Sequence, residues 1–439
     1  MTSTIDAMVP RMHLLRHAKG AAIPVSAVRA RLTTPFFALA SALAWIPPPA
    51  LPGGCGRVGA PRAPRCHLRF STPRLAPRLT GAGQNGASAA LRRMCASSET
   101  GPGGGRPGDR GPIARSAADI EGGCSVHAAR DTAVRVLRAS GVERGEAESA
   151  VDILLEHVTK LSRGVLRGAS GKGRTLSAEE AHSMREGVAR RAANEPVQYI
   201  VGEWDFYNLR SIRVRQPTLI PRPETEELVD MVVKSTRGSP PACFLEVGPG
   251  TGAISLALLT QWPGARGEAV ELCQHAVALT EENAEMLGLS DRLLVHHRGI
   301  TPWTQARAGC NSEGESAGGG LFDLLVSNPP YIPAADMLQL DPEVRDFEDH
   351  VALDGGEDGL DIVWEILRAA PLLLSPGASI WLEVDESHPQ LLRRIFSATG
   401  SSPPAPGGRD RREVPGVEFV DGLDDMFGRP RFVHFRLSS

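Results

Sequence analysis

Apolar residues recur at intervals of three and four along Ala129, Ala133, Val136 and Leu137, and again along Val151, Leu154, Leu155 and Val158. That spacing keeps one helical face dry and predicts a small helical bundle over 124–195. Within it, Ser177-Ala178-Glu179-Glu180 offers an N-cap acceptor to a helix rich in Ala, Met and Val. Trp204-Asp205-Phe206-Tyr207 and Ile212-Arg213-Val214 then flank the polar Asn208–Ser211, so 196–220 reads as a β-hairpin connector. From 221 to 439 short apolar runs alternate with helical ones. Strands are predicted near 242–247, 267–272, 293–298, 322–328 and 378–384, and helices near 251–262, 274–287, 359–373 and 388–398. This alternation is the sequence form of a doubly wound, mostly parallel sheet, an α/β fold. Val417–Val420 and Phe432–Phe435 end the pattern as an antiparallel pair, and the Gly-, Ser- and Glu-rich 305–320 reads as a loop insertion.

Charge changes the picture at the N-terminus. The chain of 439 residues carries −3 overall, yet residues 1–98 hold thirteen Arg or Lys against one acid, Asp6, leaving −15 on the remainder. An acid-poor, Arg- and Ser-bearing segment ahead of the folded pattern has the composition of a transit peptide, and the Gly/Pro/Ser-rich 99–123 that of a linker. A basic arm that binds RNA is the alternative. The apolar run Phe36–Ile46 is too short to span a bilayer but long enough for a signal-peptide core, which leaves a plastid address open beside a mitochondrial one. Seven cysteines without a Cys-x-x-Cys pair argue against a disulfide framework or zinc site, and Cys243 and Cys273 read as core residues.

Two loops carry the chemistry. The predicted strand ending at Val247 runs into Gly248-Pro249-Gly250-Thr251-Gly252 and then a helix, the pattern that brings backbone close to a ligand at a helix N-terminus. Glu271, twenty-one residues after Gly250 at the end of the next strand, suits ribose hydroxyls. A glycine loop alone fits NAD equally well, or no ligand at all. Glu246 before the first glycine, and the second loop, shift the reading to S-adenosylmethionine. That second loop is Ser327-Asn328-Pro329-Pro330-Tyr331. Two prolines stiffen it and remove two backbone donors. Asn328 Oδ1 and the Pro329 carbonyl, accepting from one NH2 group, would draw the nitrogen lone pair out of conjugation and aim it. Tyr331 supplies a flat face.

Three blocks make the chain resemble the HemK/PrmC family: Glu195–Gly202 with Ile220-Pro221-Arg222-Pro223-Glu224-Thr225-Glu226; Leu245–Ser255; and Ser327 through Ala352–Gly356 and Gly359–Asp361. Leu382–Asp385 and Gly428–Phe432 look more like its eukaryotic organellar members. The resemblance spans about 125–438 and implies a class I S-adenosylmethionine-dependent methyltransferase fold with a seven-stranded sheet. It implies methylation of N5 of the glutamine in the Gly-Gly-Gln loop of an organellar class I peptide chain release factor, captured by the bundle. Site roles follow by position. Asn328, Pro329 and Tyr331 would be catalytic. Glu246, Gly248, Gly250, Gly252, Glu271 and Asn328 would bind cofactor. Asn328, Pro329, Pro330, Tyr331 and Arg222 would bind substrate, with Arg222 read equally as one half of an interdomain salt bridge.

The family more often has Asp where this chain has Glu246 and Glu271, and an acid where it has Gly299. Trp303 suits either stacking on adenine or burial, and His350 reads as structural. No metal is implied, nor a nucleic-acid or membrane partner, and a monomer is expected. An adenine-N6 or guanine-N2 nucleic-acid methyltransferase is the nearest rival, weakened by the −15 on the folded part, since phosphate tracking needs a basic face. A non-catalytic methyltransferase-like binding module is the rival of another class.

Overall fold

The computed structural model describes residues 117–168, 171, 173–310, 321–397 and 414–438. The expected transit peptide lies outside the described residues.

The bundle comprises α1 (Val126–Ala139), α2 (Arg144–Thr159), the short α3 (Arg163–Arg167) and α4 (Ala178–Ala192). The periodic residues Ala129, Ala133, Val136, Leu137, Val151, Leu154 and Leu155 are buried in its core, each such leucine contributing about 2 kcal/mol by burial. Ala117 and Ile120, within the stretch read as linker, are buried in the same core. Ser177 caps α4 as expected, and the cap is reciprocal: Ser177 Oγ accepts from Glu180 N at 3.1 Å while Glu180 Oε2 accepts from Ser177 N at 2.7 Å.

The connector holds a short helix, α5 (Val197–Val201), then β1 (Glu203–Phe206) and β2 (Leu209–Arg213). The hairpin turn is tighter than expected. It is Tyr207-Asn208, not Asn208–Ser211, because Leu209 pairs with Phe206 and both are buried. Asn283 locks this hairpin to the catalytic region. Its Oδ1 accepts from Arg213 N at 2.7 Å, and its Nδ2 donates to the carbonyls of Arg213 at 3.0 Å and Thr251 at 2.9 Å.

After the connector come α6 (Pro223–Ser235), β3 (Cys243–Val247), α7 (Ala253–Gln261), β4 (Arg266–Glu271), α8 (Gln274–Met286), β5 (Leu293–His297), α9 (Ile300–Cys310) and β6 (Phe322–Ser327). A short α10 (Pro342–Arg345) precedes α11 (Asp361–Leu373), β7 (Leu374–Glu383), α12 (His388–Ser397), β8 (Val417–Asp424) and β9 (Pro430–Leu437). The strands form one seven-stranded sheet in the order β5-β4-β3-β6-β7-β9-β8, parallel except for β9 with its neighbours. This is the fold class expected from the alternation.

Besides the short α5 and α10, two longer helices were not anticipated. Pro223 follows the N-cap Arg222 and opens α6 at its first turn, where a missing N–H costs nothing and Glu224 and Glu226 suit the dipole. The segment 305–310, read as loop, continues α9. Arg307 stands one turn past Trp303, with its guanidinium 5.2 Å from the Trp303 ring and 5.0 Å from Phe322. Its Nη1 reaches Glu268 at 3.4 Å.

The chain leaves β3 for β4 and β5 on one side, then crosses back to β6 on the other. Ligands bind beyond the carboxyl ends of strands at such a reversal. Register makes the position explicit. Val247 pairs with Val270 of β4 and with Ser327 of β6, and Ser327 pairs with Leu382 of β7. The next residue of each strand is therefore Glu271, Gly248, Asn328 and Glu383, one row across the carboxyl edge.

Candidate active site

On the β3–β4 side the row presents acids and glycines. Glu246, fully buried, accepts on Oε2 from the Ser255 backbone N at 2.9 Å and from the Ser255 hydroxyl. Its other oxygen, Oε1, is buried with no hydrogen-bond partner. Burial pushes the Glu246 carboxyl up to about 7, so a cation placed against Oε1 would restore the charged form. Glu271 accepts from Cys273 N at 2.8 Å and from Gly250 N at 3.2 Å, which shapes the glycine loop around it. Burial raises the Glu271 carboxyl as well. Gly252 has φ +81°, and a Cβ there would lie 2.9 Å from Thr280 Cγ2, so no side chain fits. The orphan oxygen, the open glycine loop and the acid at the end of β4 fit a ligand bearing both an ammonium and a ribose. They are the residues assigned to cofactor from sequence except Asn328, which stands on the β6 side.

On the β6–β7 side stands the loop Asn328-Pro329-Pro330-Tyr331. Pro329 is buried, while Asn328, Pro330 and Tyr331 are half-buried. Asn328 Nδ2 donates to Thr225 Oγ1 at 3.0 Å, and Thr225 Oγ1 donates to Glu383 Oε2 at 2.7 Å. The Tyr331 hydroxyl donates to Glu383 Oε1 at 3.2 Å and accepts from Arg431 Nη2 at 3.0 Å. Arg431 also covers the Tyr331 ring, 5.3 Å from its centroid. Tyr331 therefore offers more than a flat face, since both its hydroxyl and its ring are engaged. Burial pushes the phenol up and the Glu383 carboxyl up, the latter eased by Thr225, Arg431 and Tyr331.

Arg222 takes a specific partner. Its Nη2 lies 2.7 Å from both oxygens of Glu348, a carboxylate 5% exposed. This pair joins the N-cap of α6 to the segment after the Asn-Pro-Pro-Tyr loop, both within 221–439, so it is not the interdomain bridge considered above. The bridge between bundle and catalytic region is a different one. Buried Arg191 of α4 pairs with Glu146 of α2 and with Glu343 of α10. The same segment is held to the connector by Asp349 N donating to the Pro217 carbonyl at 2.8 Å.

Other residues weighed from sequence take structural places. Trp303 is 5% exposed and packs against Phe322 and His296, a core position. His350 Nε2 bonds the Arg345 carbonyl at 2.6 Å. Cys243 packs against the core, whereas Cys273 is half-buried at the N-cap of α8. Sequence reasoning gave no role to Thr225, Glu383, Arg431 or Glu348. The available sign was a buried-strand acid, Glu383, at the end of an apolar run, where a carboxylate needs partners.

Comparison with known proteins bears on this geometry. Residues 128–202 match the PrmC N-terminal domain family. Among solved structures, ribosomal protein L11 methylase from Lactobacillus delbrueckii subsp. bulgaricus aligns over 52% of this chain and 86% of its own at 13% identity and TM-score 0.33, a likeness that carries no argument. Sequence relatives are far nearer. Human MTRF1L release factor glutamine methyltransferase is 44% identical over 273 residues, covering 60% of this chain and 73% of its own. Release factor glutamine methyltransferases of Geobacter sulfurreducens and Cereibacter sphaeroides are 40% and 39% identical, over 73% and 82% of their own lengths and 51% and 60% of this chain. With identity at this level over most of each relative, the chain belongs to the release factor glutamine methyltransferase family.

Proposed function

We propose that the protein methylates the side-chain amide N5 of the glutamine in the Gly-Gly-Gln loop of a peptide chain release factor, using S-adenosylmethionine. The observation that carries the reading is the single row holding Glu271, Gly248, Asn328 and Glu383, which sets cofactor-type and amide-binding groups side by side. Glu246 Oε1 would take the cofactor ammonium, Glu271 the ribose hydroxyls, and the loop Gly248–Gly252 the backbone approach between them. When bound, the cofactor supplies a methyl group on a sulfonium, a good leaving group. Asn328 Oδ1 and the Pro329 carbonyl accept the two amide hydrogens of the glutamine, turning the nitrogen lone pair toward the methyl carbon. Holding the nitrogen in that geometry is the protein's main contribution. Pro329 and Pro330 keep the acceptors fixed, and Tyr331 walls the amide. The nitrogen loses its extra proton after the transfer, so no group with a tuned basicity is required.

The bundle, tied to the catalytic region through Arg191 and Glu343, supplies surface remote from the glutamine. Binding energy from such surface can be used to orient the reacting amide. The acid-poor segment 1–98 supports an organellar release factor as substrate, in the mitochondrion ahead of the plastid. A reporter fused to that segment should enter the organelle, and a diffuse cytosolic signal would reject this part.

Incubation with labelled S-adenosylmethionine and an organellar release factor, followed by mass spectrometry of the labelled peptide, tests the whole. Methyl on the glutamine amide is the expected result. Methyl only on added DNA or RNA, or none on any acceptor despite cofactor binding, would overturn it.

A further inference from the structure

Beneath Asn328 runs a chain of hydrogen bonds whose direction is set from one end. A guanidinium has only donors, so Arg431 Nη2, 3.0 Å from the Tyr331 oxygen, must donate to it. The Tyr331 hydroxyl then gives its own proton to Glu383 Oε1 at 3.2 Å. Glu383 is fully buried, which raises its carboxyl, while the hydroxyls of Thr225 and Tyr331 and Arg431 Nη2, 3.9 Å away, favour the charged form, in which both oxygens accept. A carboxylate only accepts, so the one hydroxyl proton of Thr225 points at Glu383 Oε2, 2.7 Å distant. Thr225 Oγ1 has only lone pairs left. The Asn328 atom 3.0 Å from it must therefore be the nitrogen.

An asparagine amide has nearly the same shape in either of its two flipped orientations, so packing alone discriminates weakly between them. Here the two differ in chemistry. With Nδ2 held on Thr225, Oδ1 faces away from it. The flipped form would set the Thr225 lone pairs against Oδ1 and turn an NH2 toward the acceptor. A primary carboxamide nitrogen brings only donors, so it would meet donors.

We infer that Thr225 and Glu383 are positioning residues that fix the amide of Asn328 so that its oxygen, not its NH2, meets the incoming glutamine nitrogen. This rests on the amide-methylation reading above and adds to it the reason for a buried acid in β7. It also gives the site a basis for choosing glutamine over glutamate, because a carboxylate has no hydrogen for Oδ1 to accept. Arg431 and Tyr331 keep the second oxygen of Glu383 engaged, so that neither end of the carboxylate is left unpaired in a buried setting.

The test compares wild type, Thr225→Val, Thr225→Ser and Glu383→Gln. Valine keeps the volume of threonine and removes the hydroxyl. In Thr225→Val, kcat with saturating release factor and cofactor should fall about tenfold or more while cofactor Kd by calorimetry stays within about twofold. Serine restores the hydroxyl, and Thr225→Ser should recover kcat to within about threefold of wild type, which a lost methyl contact alone would not explain. If Thr225→Val binds no cofactor, Glu383→Gln carries the same criterion of kcat against Kd. A readout independent of turnover is the Asn328 side-chain NH2 in nuclear magnetic resonance spectra, identified by its loss in Asn328→Asp. It should exchange with water about tenfold faster in Thr225→Val than in wild type. Absence of transfer by wild type itself would strike the amide-methylation reading, and the exchange rates would still judge the relay. Wild-type kcat in Thr225→Val, a serine variant as slow as the valine one, or exchange unchanged by the substitution would overturn the inference.

Discussion

Replacing Arg222 by methionine keeps most of the stem and removes the charge from a pair that is buried on one side. Glu348 is 5% exposed, and its two oxygens share Arg222 Nη2 at 2.7 Å each. Breaking such a pair by removing one partner costs about 3–5 kcal/mol, because the remaining ion is left without a countercharge. The loss should depend on pH, with a definite sign. Burial already raises the Glu348 carboxyl, and the charge and hydrogen bond of Arg222 hold it down in part. Without Arg222 it rises further. A carboxylate whose folded pKa lies above its unfolded value of about 4.3 binds more protons in the folded state. Its stability contribution is complete below that value and is lost as pH rises toward the folded pKa, by at most ~1.4 kcal/mol per unit. Arg222→Met should therefore be least destabilised near pH 5 and most at pH 8, while wild type shows the same trend more weakly. Urea unfolding at both pH values, for wild type, Arg222→Met and the double variant Arg222→Met/Glu348→Met, measures this. The double variant should recover most of the loss, since no lone charge remains. A deficit equal at the two pH values, or a double variant no better than the single one, would refute the pairing argument. A variant of wild-type stability whose only defect is a raised KM for release factor would instead return Arg222 to substrate recognition.

Asn328→Ala should lower kcat by about a hundredfold or more while leaving cofactor affinity nearly intact, because Asn328 aims the acceptor; equal loss in calorimetry and turnover would contradict that division. Glu271→Ala should weaken cofactor binding by about 1.5–3 kcal/mol with less change in turnover at saturation, and an unchanged dissociation constant would sink the ribose assignment. Since burial places the Glu246 carboxyl at about 7, cofactor affinity should rise between about pH 5.5 and about pH 8 as the proton leaves and the ammonium finds a charged partner. Glu246→Gln should flatten that rise, and a profile identical to wild type would show that Glu246 does not face the cofactor.

Much of the architecture was legible in the chain because its causes are local. Apolar spacing placed the bundle helices and the alternating strands, the glycines at 248, 250 and 252 marked the turn into α7, and Asn328-Pro329-Pro330-Tyr331 marked the stiff loop after β6. Where local causes were weak, the reading slipped. The hairpin turn depends on Leu209 finding Phe206, and the last turn of α9 on Arg307 finding Trp303, Phe322 and Glu268. Proline at 223 was not read as a helix start, although its fixed φ suits the first turn of a helix.

The site divides along the same line. Residue types and their spacing brought out the loops Gly248–Gly252 and Asn328–Tyr331, since each is a continuous segment whose chemistry its own residues carry. The partners of those segments were decided by tertiary structure alone. Asn328 meets Thr225 across 103 residues, Thr225 meets Glu383 across 158, and Arg222 meets Glu348 across 126. Parallel strands joined by crossover helices return each carboxyl end to the same edge of the sheet, and it is register between strands, set by packing over their whole length, that decides which end residues stand side by side.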